Sequence, residues 1–265
     1  MGLRLNMQRA LERVSGTVVV LADQDDLWAA DKLDAIERAF VDPNVTLWFS
    51  DAELVDERDQ PFGRRAWQAI NFAAEAQDRV RRGGGLEPLL YGQLVTGATM
   101  AVRADITRLA LPLPPELEGA GHLFLHDGWL AVLACLLGKV VIEARPLTSY
   151  RQHENQVTGM SMTASGRPES DLRAARSDGL LLELARVNLV AERVLLFDQL
   201  RALTGPPMQE LMRRKRFLEA RTLPGGTTGR ARRIVEQVRL RTYAEFSSGN
   251  RTALMDLLRP AIPRE

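Results

Sequence analysis

The run Thr17-Val18-Val19-Val20-Leu21-Ala22 passes directly into Asp23-Gln24-Asp25-Asp26. The first six residues are β-branched or apolar, with no alternation. This predicts a short strand buried on both faces, of the kind found inside a mainly parallel sheet. Open α/β sheets bind ligands at the carboxyl ends of their strands. Three carboxylates follow at that position. Upstream, Leu3, Met7, Ala10, Leu11 and Val14 have helical spacing, and Gly16 is a natural stop. Downstream, Asp31 to Phe40 reads as a helix with Asp31 as its cap, and Val45 to Phe49 as a second buried strand. The β-loop-α-β order makes the front of the chain α/β.

Further along, Arg81 to Gly85 reads as a flexible joint, Leu86 to Tyr91 as a helix and Ala98 to Val102 as extended chain. A proline-rich loop, Leu111 to Pro115, leads to a helix starting near Asp127 and stopping at Gly138. Lys139 to Glu143 and Leu147 to Tyr150 read as two strands. Beyond residue 166 the pattern is helical, over Leu172 to Leu203, again from Pro206, and over Arg230 to Tyr243. Two regions are expected, 1–165 and 166–265.

The 265 residues are 45% hydrophobic and 26% charged, enough for a real apolar core. The lone Cys135 excludes a disulfide-built fold. The longest apolar run, Trp129 to Leu137, falls short of the ~20 residues that span a bilayer. Asn6, Gln8 and Arg9 near the start do not suit a signal peptide, so a cytoplasmic location is expected. Residues 1–130 carry 13 basic and 20 acidic groups, whereas residues 131–265 carry 22 and 14. An acidic front suits a metal; a basic back suits phosphates or an anionic membrane surface.

Three clusters could carry chemistry. Asp23, Asp25 and Asp26 repel one another unless a cation neutralises them, and their hard oxygens suit Mg²⁺ or Mn²⁺ bridging to phosphates. The plainer alternative is solvated carboxylates with one capping the next helix. His126-Asp127 opens a helix, where Asp127 is either an N-cap or a general base. Tyr150-Arg151-Gln152-His153 ends a strand. There Arg151 could bind a diphosphate and His153 supply a nitrogen ligand.

Taken in order, these pieces resemble the inverting, GT-A-type glycosyltransferases of family 2, and most closely their bacterial rhamnosyltransferase-like branch. Gly2 to Asn6 resembles the helix before the metal strand. Leu21 to Trp28 with Asp31-Lys32-Leu33 resembles the DxD region. Phe49 to Ala52, Leu94 to Met100, His126 to Trp129 and Pro146 to His153 follow, as does Tyr243 to Phe246 with Asp256 to Leu258. The resemblance implies a mixed sheet with helices, nucleotide-diphospho-sugar transferase-like, followed by a helical C-terminal region. Asp127 would be the general base. Asp23 and Asp25, with His153, would hold Mg²⁺ or Mn²⁺. Asn6, Asp23, Thr96, Gly97 and Arg151 would contact the donor, and Trp129 and Gln152 the acceptor. The implied reaction moves a sugar, rhamnose in the closest branch, from a nucleotide-diphosphate donor to a lipid-linked or polysaccharide acceptor of a bacterial surface glycan.

Family chains open with a βαβα nucleotide-binding segment. This sequence starts at the helix after it, so an incomplete GT-A sheet is expected, and the first rival reading is a truncated, inactive relic or interaction module. A haloacid-dehalogenase-like phosphatase, with Asp23 as nucleophile, is the second; it lacks a later acidic pair. Arg213 to Arg216, Arg230, Arg232, Arg233, Arg239 and Arg241 form a candidate peripheral membrane face. No nucleic-acid module accompanies that charge, and no nucleic-acid partner is expected.

Overall fold

Within the Thr17–Ala22 run, Val18–Val20 forms the first strand, β1, of a six-stranded mixed sheet. The computed structural model describes residues 2–92, 94–118, 122–152, 171–197, 205–222 and 227–258. The chain divides into two compact units, residues 1–165 and 166–265.

The first unit runs α1 (Leu3–Leu11), β1, β2 (Leu27–Trp28), α2 (Lys32–Phe40), β3 (Val45–Val55), β4 (Pro61–Arg65), α3 (Ala66–Ala69), α4 (Ala74–Arg81) and α5 (Leu86–Tyr91). It continues through a 3-10 turn (Gly97–Thr99), β5 (Met100–Arg103), α6 (Ala104–Ala110), α7 (His126–Leu137) and β6 (Lys139–Arg151). The sheet order is β1-β5-β3-β6-β2, with β4 paired to β3. The fold is therefore mixed α/β.

The expectation of a mainly parallel sheet fails. Only β3 and β6 run parallel. β1 is antiparallel to β5, pairing Val19 with Val102, and ends the strand order. An unalternating apolar run reports two covered faces, and that part is realised: Val18 and Val20 pack towards α2 while Val19 is buried on the other side. Such a run carries no information about strand direction.

β3 organises the unit because both of its faces are buried. Trp48 packs with Ala35, Ile36 and Phe40 of α2. Phe49 points the other way, its ring 5.9 Å from Trp67 and 6.1 Å from Phe72. The β3–β6 register shifts on either side of Asp51. Beyond that point Ala52 and Leu54 pack with Ala66, Ala98 and Tyr150. β6 is one strand where two are expected, because Pro146 sits at the register shift, where a missing N–H costs no ladder bond.

The Arg81–Gly85 stretch is not a joint. Gly83 has φ +86°, its N–H donates to Val80 O (3.0 Å) and the Gly84 N–H donates to Arg79 O (2.9 Å). This is a Schellman closure of α4, which needs glycine in the left-handed region. Gly85 lies against Cys135, so the segment is a packed helix–helix junction.

The second unit comprises α8 (Asp171–Leu195), α9 (Pro206–Thr222), α10 (Thr227–Arg239), α11 (Thr242–Phe246) and α12 (Asn250–Leu258). Val187, Val190, Leu211, Phe217, Ile234 and Tyr243 are buried. Part of the basic run is turned inward. Arg214 is 4% exposed, pairs with Glu210 and lies 4.4 Å over the Phe246 ring. Arg221 pairs with Asp256 at 2.6 Å, and Asp256 also accepts the Tyr243 hydroxyl at 2.9 Å. Arg213 and Lys215 pair with Glu245 and Glu219. Arg216, Arg232, Arg239 and Arg241 remain exposed. Among the described residues no helix is long and apolar enough to cross a membrane.

Candidate functional site

The acidic turn follows β1 because Leu21 is buried and its N–H donates to Met100 O (3.2 Å), which fixes where the chain leaves the sheet. Arg151, at the end of β6, then clamps the turn. Its backbone N–H donates to Asp26 Oδ1 (2.9 Å) and its Nε to Asp25 O (2.8 Å). Nη1 donates to Asp56 O and Glu57 O, and Nη2 pairs with Asp59 at 2.8 Å. The guanidinium thus holds the acidic turn against the β3–β4 loop.

The clamp holds groups that oppose each other. Burial, then the charges of Asp25 and Asp127, raise Asp23, while His126 and Lys32 act the other way. Burial is also the first cause at Asp26, whose carboxyl is pushed up to about 6. Asp26 Oδ2 is buried without a hydrogen-bond partner. Tyr150 is raised by burial and then by Asp23, Asp26, Asp127 and Asp25, so four carboxylates act on one phenol.

Asp127 is not an N-cap. α7 starts at His126 with Leu125 in the capping position, which places Asp127 inside the first turn. Its Oδ2 accepts the Gly97 N–H at 3.0 Å and its Oδ1 the Gly128 N–H at 2.7 Å. A Cβ at Gly97 would stand 3.4 Å from His126 Nε2, 3.7 Å from Leu21 Cδ2 and 3.9 Å from Asp127 Oδ2. Gly97 is thus where the end of β1, the 3-10 turn and the start of α7 meet. Thr96, half-buried, closes that turn by accepting the Thr99 N–H and hydroxyl, both at 2.9 Å.

The remaining expected residues divide. Gln152 sits at the end of β6, its N–H on Val55 O. Trp129 is a correction: it is fully buried, its indole N–H donates to Ala110 O (3.3 Å), and it packs on Phe124. It is a core residue and cannot touch an acceptor. Asn6 is exposed on α1, a helix anchored through Arg4 and Gln8 to Leu113 and Glu118, and the contacts gathering the cluster do not include it. His153 lies outside the described residues. Asp31 occupies the N-cap position of α2 without a side-chain cap bond; its carboxylate pairs with Arg145 at 2.7 Å.

Sequence reasoning missed Lys32, which is fully buried with Nζ donating to Ala98 O and Thr148 Oγ1. The signal was present. Lys32, Ile36 and Phe40 share one helix face, and that face packs on the sheet.

Among the described residues no group of three or more His, Cys, Asp or Glu side chains forms a ready cage for a metal. Mg²⁺ with a nucleotide substrate needs only one or two carboxylates, the phosphates completing the shell. An orphaned Asp26 oxygen beside two further carboxylates fits that demand. A separate cavity of about 460 Å³ beside β3 and α3, lined by Asp51, Arg65 and Trp67 among others, shares no residue with the cluster. Its Asp51 accepts the Ala52 and Trp67 N–H groups, both on Oδ1. No family model matches the sequence, and no curated protein matches it.

Proposed function

We propose that residues 1–165 are the core of an inverting, metal-dependent glycosyltransferase. It would take a sugar from a nucleotide-diphosphate donor and pass it to a lipid-linked or polysaccharide acceptor of a bacterial surface glycan. The observation carrying this reading is one of placement. The carboxylates of 23–26, the Asp127 carboxylate and the Gly97 N–H, far apart in sequence, act on one another at the end of β1.

Asp23, Asp25 and Asp26 supply hard oxygens for Mg²⁺ or Mn²⁺. When bound, the cation would neutralise the charge of the departing diphosphate. Asp127 is the base: it takes the acceptor hydroxyl's proton as that oxygen attacks the anomeric carbon and the bond to the diphosphate breaks. One displacement inverts the centre. The Gly97 and Gly128 N–H groups hold the Asp127 carboxylate in place, and Arg151 holds the acidic turn against its own repulsion.

Calorimetric titration with UDP-, GDP- and dTDP-sugars, with and without Mn²⁺, tests the reading. Nucleotide binding that requires Mn²⁺ and is lost in Asp25→Asn is expected. Binding that ignores the metal, or none across the panel, overturns it.

A further inference from the structure

We infer that Lys32 is a positioning residue, the internal counter-charge of the acidic turn: a buried ammonium that balances the carboxylates before a cation arrives and sets how tightly the cation is held. The inference rests on reading the turn as a cation site.

Lys32 is 0% exposed, and its ammonium is held on three sides. Nζ donates to Ala98 O at 2.7 Å and to Thr148 Oγ1 at 2.9 Å, and it lies 4.3 Å over the Trp28 ring. These groups belong to the 3-10 turn, β6 and β2, the elements around the acidic turn. All three are uncharged. The charged groups that face the ammonium are Asp26 and Asp23, whose fields favour it against burial, leaving Lys32 at about 8. Among the described residues no carboxylate forms an ion pair with it. That separation matters, because a direct pair would occupy the oxygens a cation needs. Held back, the ammonium offsets their repulsion and leaves Asp26 Oδ2 without a partner.

The residue type agrees. The chain has 32 arginines and only three lysines, Lys32, Lys139 and Lys215. A compact point charge with three donors matches the two oxygens and the ring that surround it. Two positive charges near one cluster disfavour each other. Lys32 therefore weakens cation binding, and by reciprocity a bound cation drives Lys32 towards the neutral amine.

The test uses the full chain. With ¹³C at lysine Cε, three signals are expected; Lys139 and Lys215, paired with Asp42 and Glu219, serve as references. At about pH 8, saturating Mg²⁺ should move the Lys32 signal towards the free-amine position and leave the other two in place. An unmoved Lys32 signal overturns the proposal. Calorimetry with Mn²⁺ gives the second readout. Lys32→Gln should bind Mn²⁺ roughly three- to tenfold tighter than wild type, and Lys32→Arg about as wild type, although both melt lower. A lysine serving only as scaffold would lose stability without tightening Mn²⁺, and that result also overturns the proposal. If neither variant folds, the wild-type Mg²⁺ titration decides. A wild-type chain that binds no divalent cation defeats the cation-site reading and this inference together; one that binds normally while Lys32→Gln binds no tighter defeats this inference alone.

Discussion

Asp26 carries an unpartnered buried oxygen next to two further carboxylates, so ionising it costs free energy in the metal-free protein. Its carboxyl titrates near 6 when folded against an ordinary 3.8. Between those values the folded state binds more protons than the unfolded one, and stability falls as pH rises through about 4 to 6. Asp26→Asn keeps an acceptor for the Arg151 N–H and cannot ionise. It should raise the melting temperature in EDTA at pH 7 and leave it nearly unchanged at pH 4; equal shifts at both would refute the assignment. Asp127→Asn sets an amide where two backbone N–H groups now find oxygens. If Asp127 is the base, kcat for transfer falls by about 10²–10⁴-fold while donor affinity holds. A variant with wild-type turnover would remove Asp127 from that role.

At the scale of elements, the site depends on how chain ends are pinned. Arg151 joins the end of β6 to the acidic turn and the β3–β4 loop through its guanidinium. Arg151→Met keeps the backbone bond to Asp26 and loses the rest. A cost of about 2–3 kcal/mol is expected in urea unfolding, together with weaker Mn²⁺ binding. Loss of stability with unchanged Mn²⁺ affinity would separate the clamp from the site. Gly138 ends α7 so close to the α2–β3 turn that a Cβ would stand 2.5 Å from Asn44 O. Gly138→Ala should cost about 1–3 kcal/mol by the same measurement, since backbone on both sides must move. Elements of this kind were partly legible beforehand. The helix 86–91 and the stop at Gly138 follow from local spacing. The Schellman closure at Gly83 reads locally as a joint, because three glycines announce permissive backbone without saying whether it is used for motion or for a fixed left-handed turn.

Over the whole molecule, the two units hold their charges differently. In the first, carboxylates gather at a strand end; in the second, Arg214 and Arg221 turn inward onto Glu210 and Asp256. Asp256 accepts from both Arg221 and Tyr243, and is 2% exposed. Asp256→Ala would leave Arg221 without its partner at a cost of about 3–5 kcal/mol. Because that network lies within residues 166–265, Mn²⁺ affinity should stay at the wild-type value; a fall would mean that the helical unit supports the site.

Side-chain type and spacing alone mark which segments are apolar enough to be buried, a few helices such as 86–91, the helix stop at Gly138, and carboxylates directly after a strand. These properties are local. It takes the folded chain to show that β1 runs antiparallel at the end of the sheet, that Trp129 is core, and that Arg151 ties the acidic turn to the β3–β4 loop. The folded chain also shows that Lys32 lies buried beneath the acidic turn. Pairing direction and the partner of a charged group depend on what folds against them from fifty or a hundred residues away, and no local pattern encodes that.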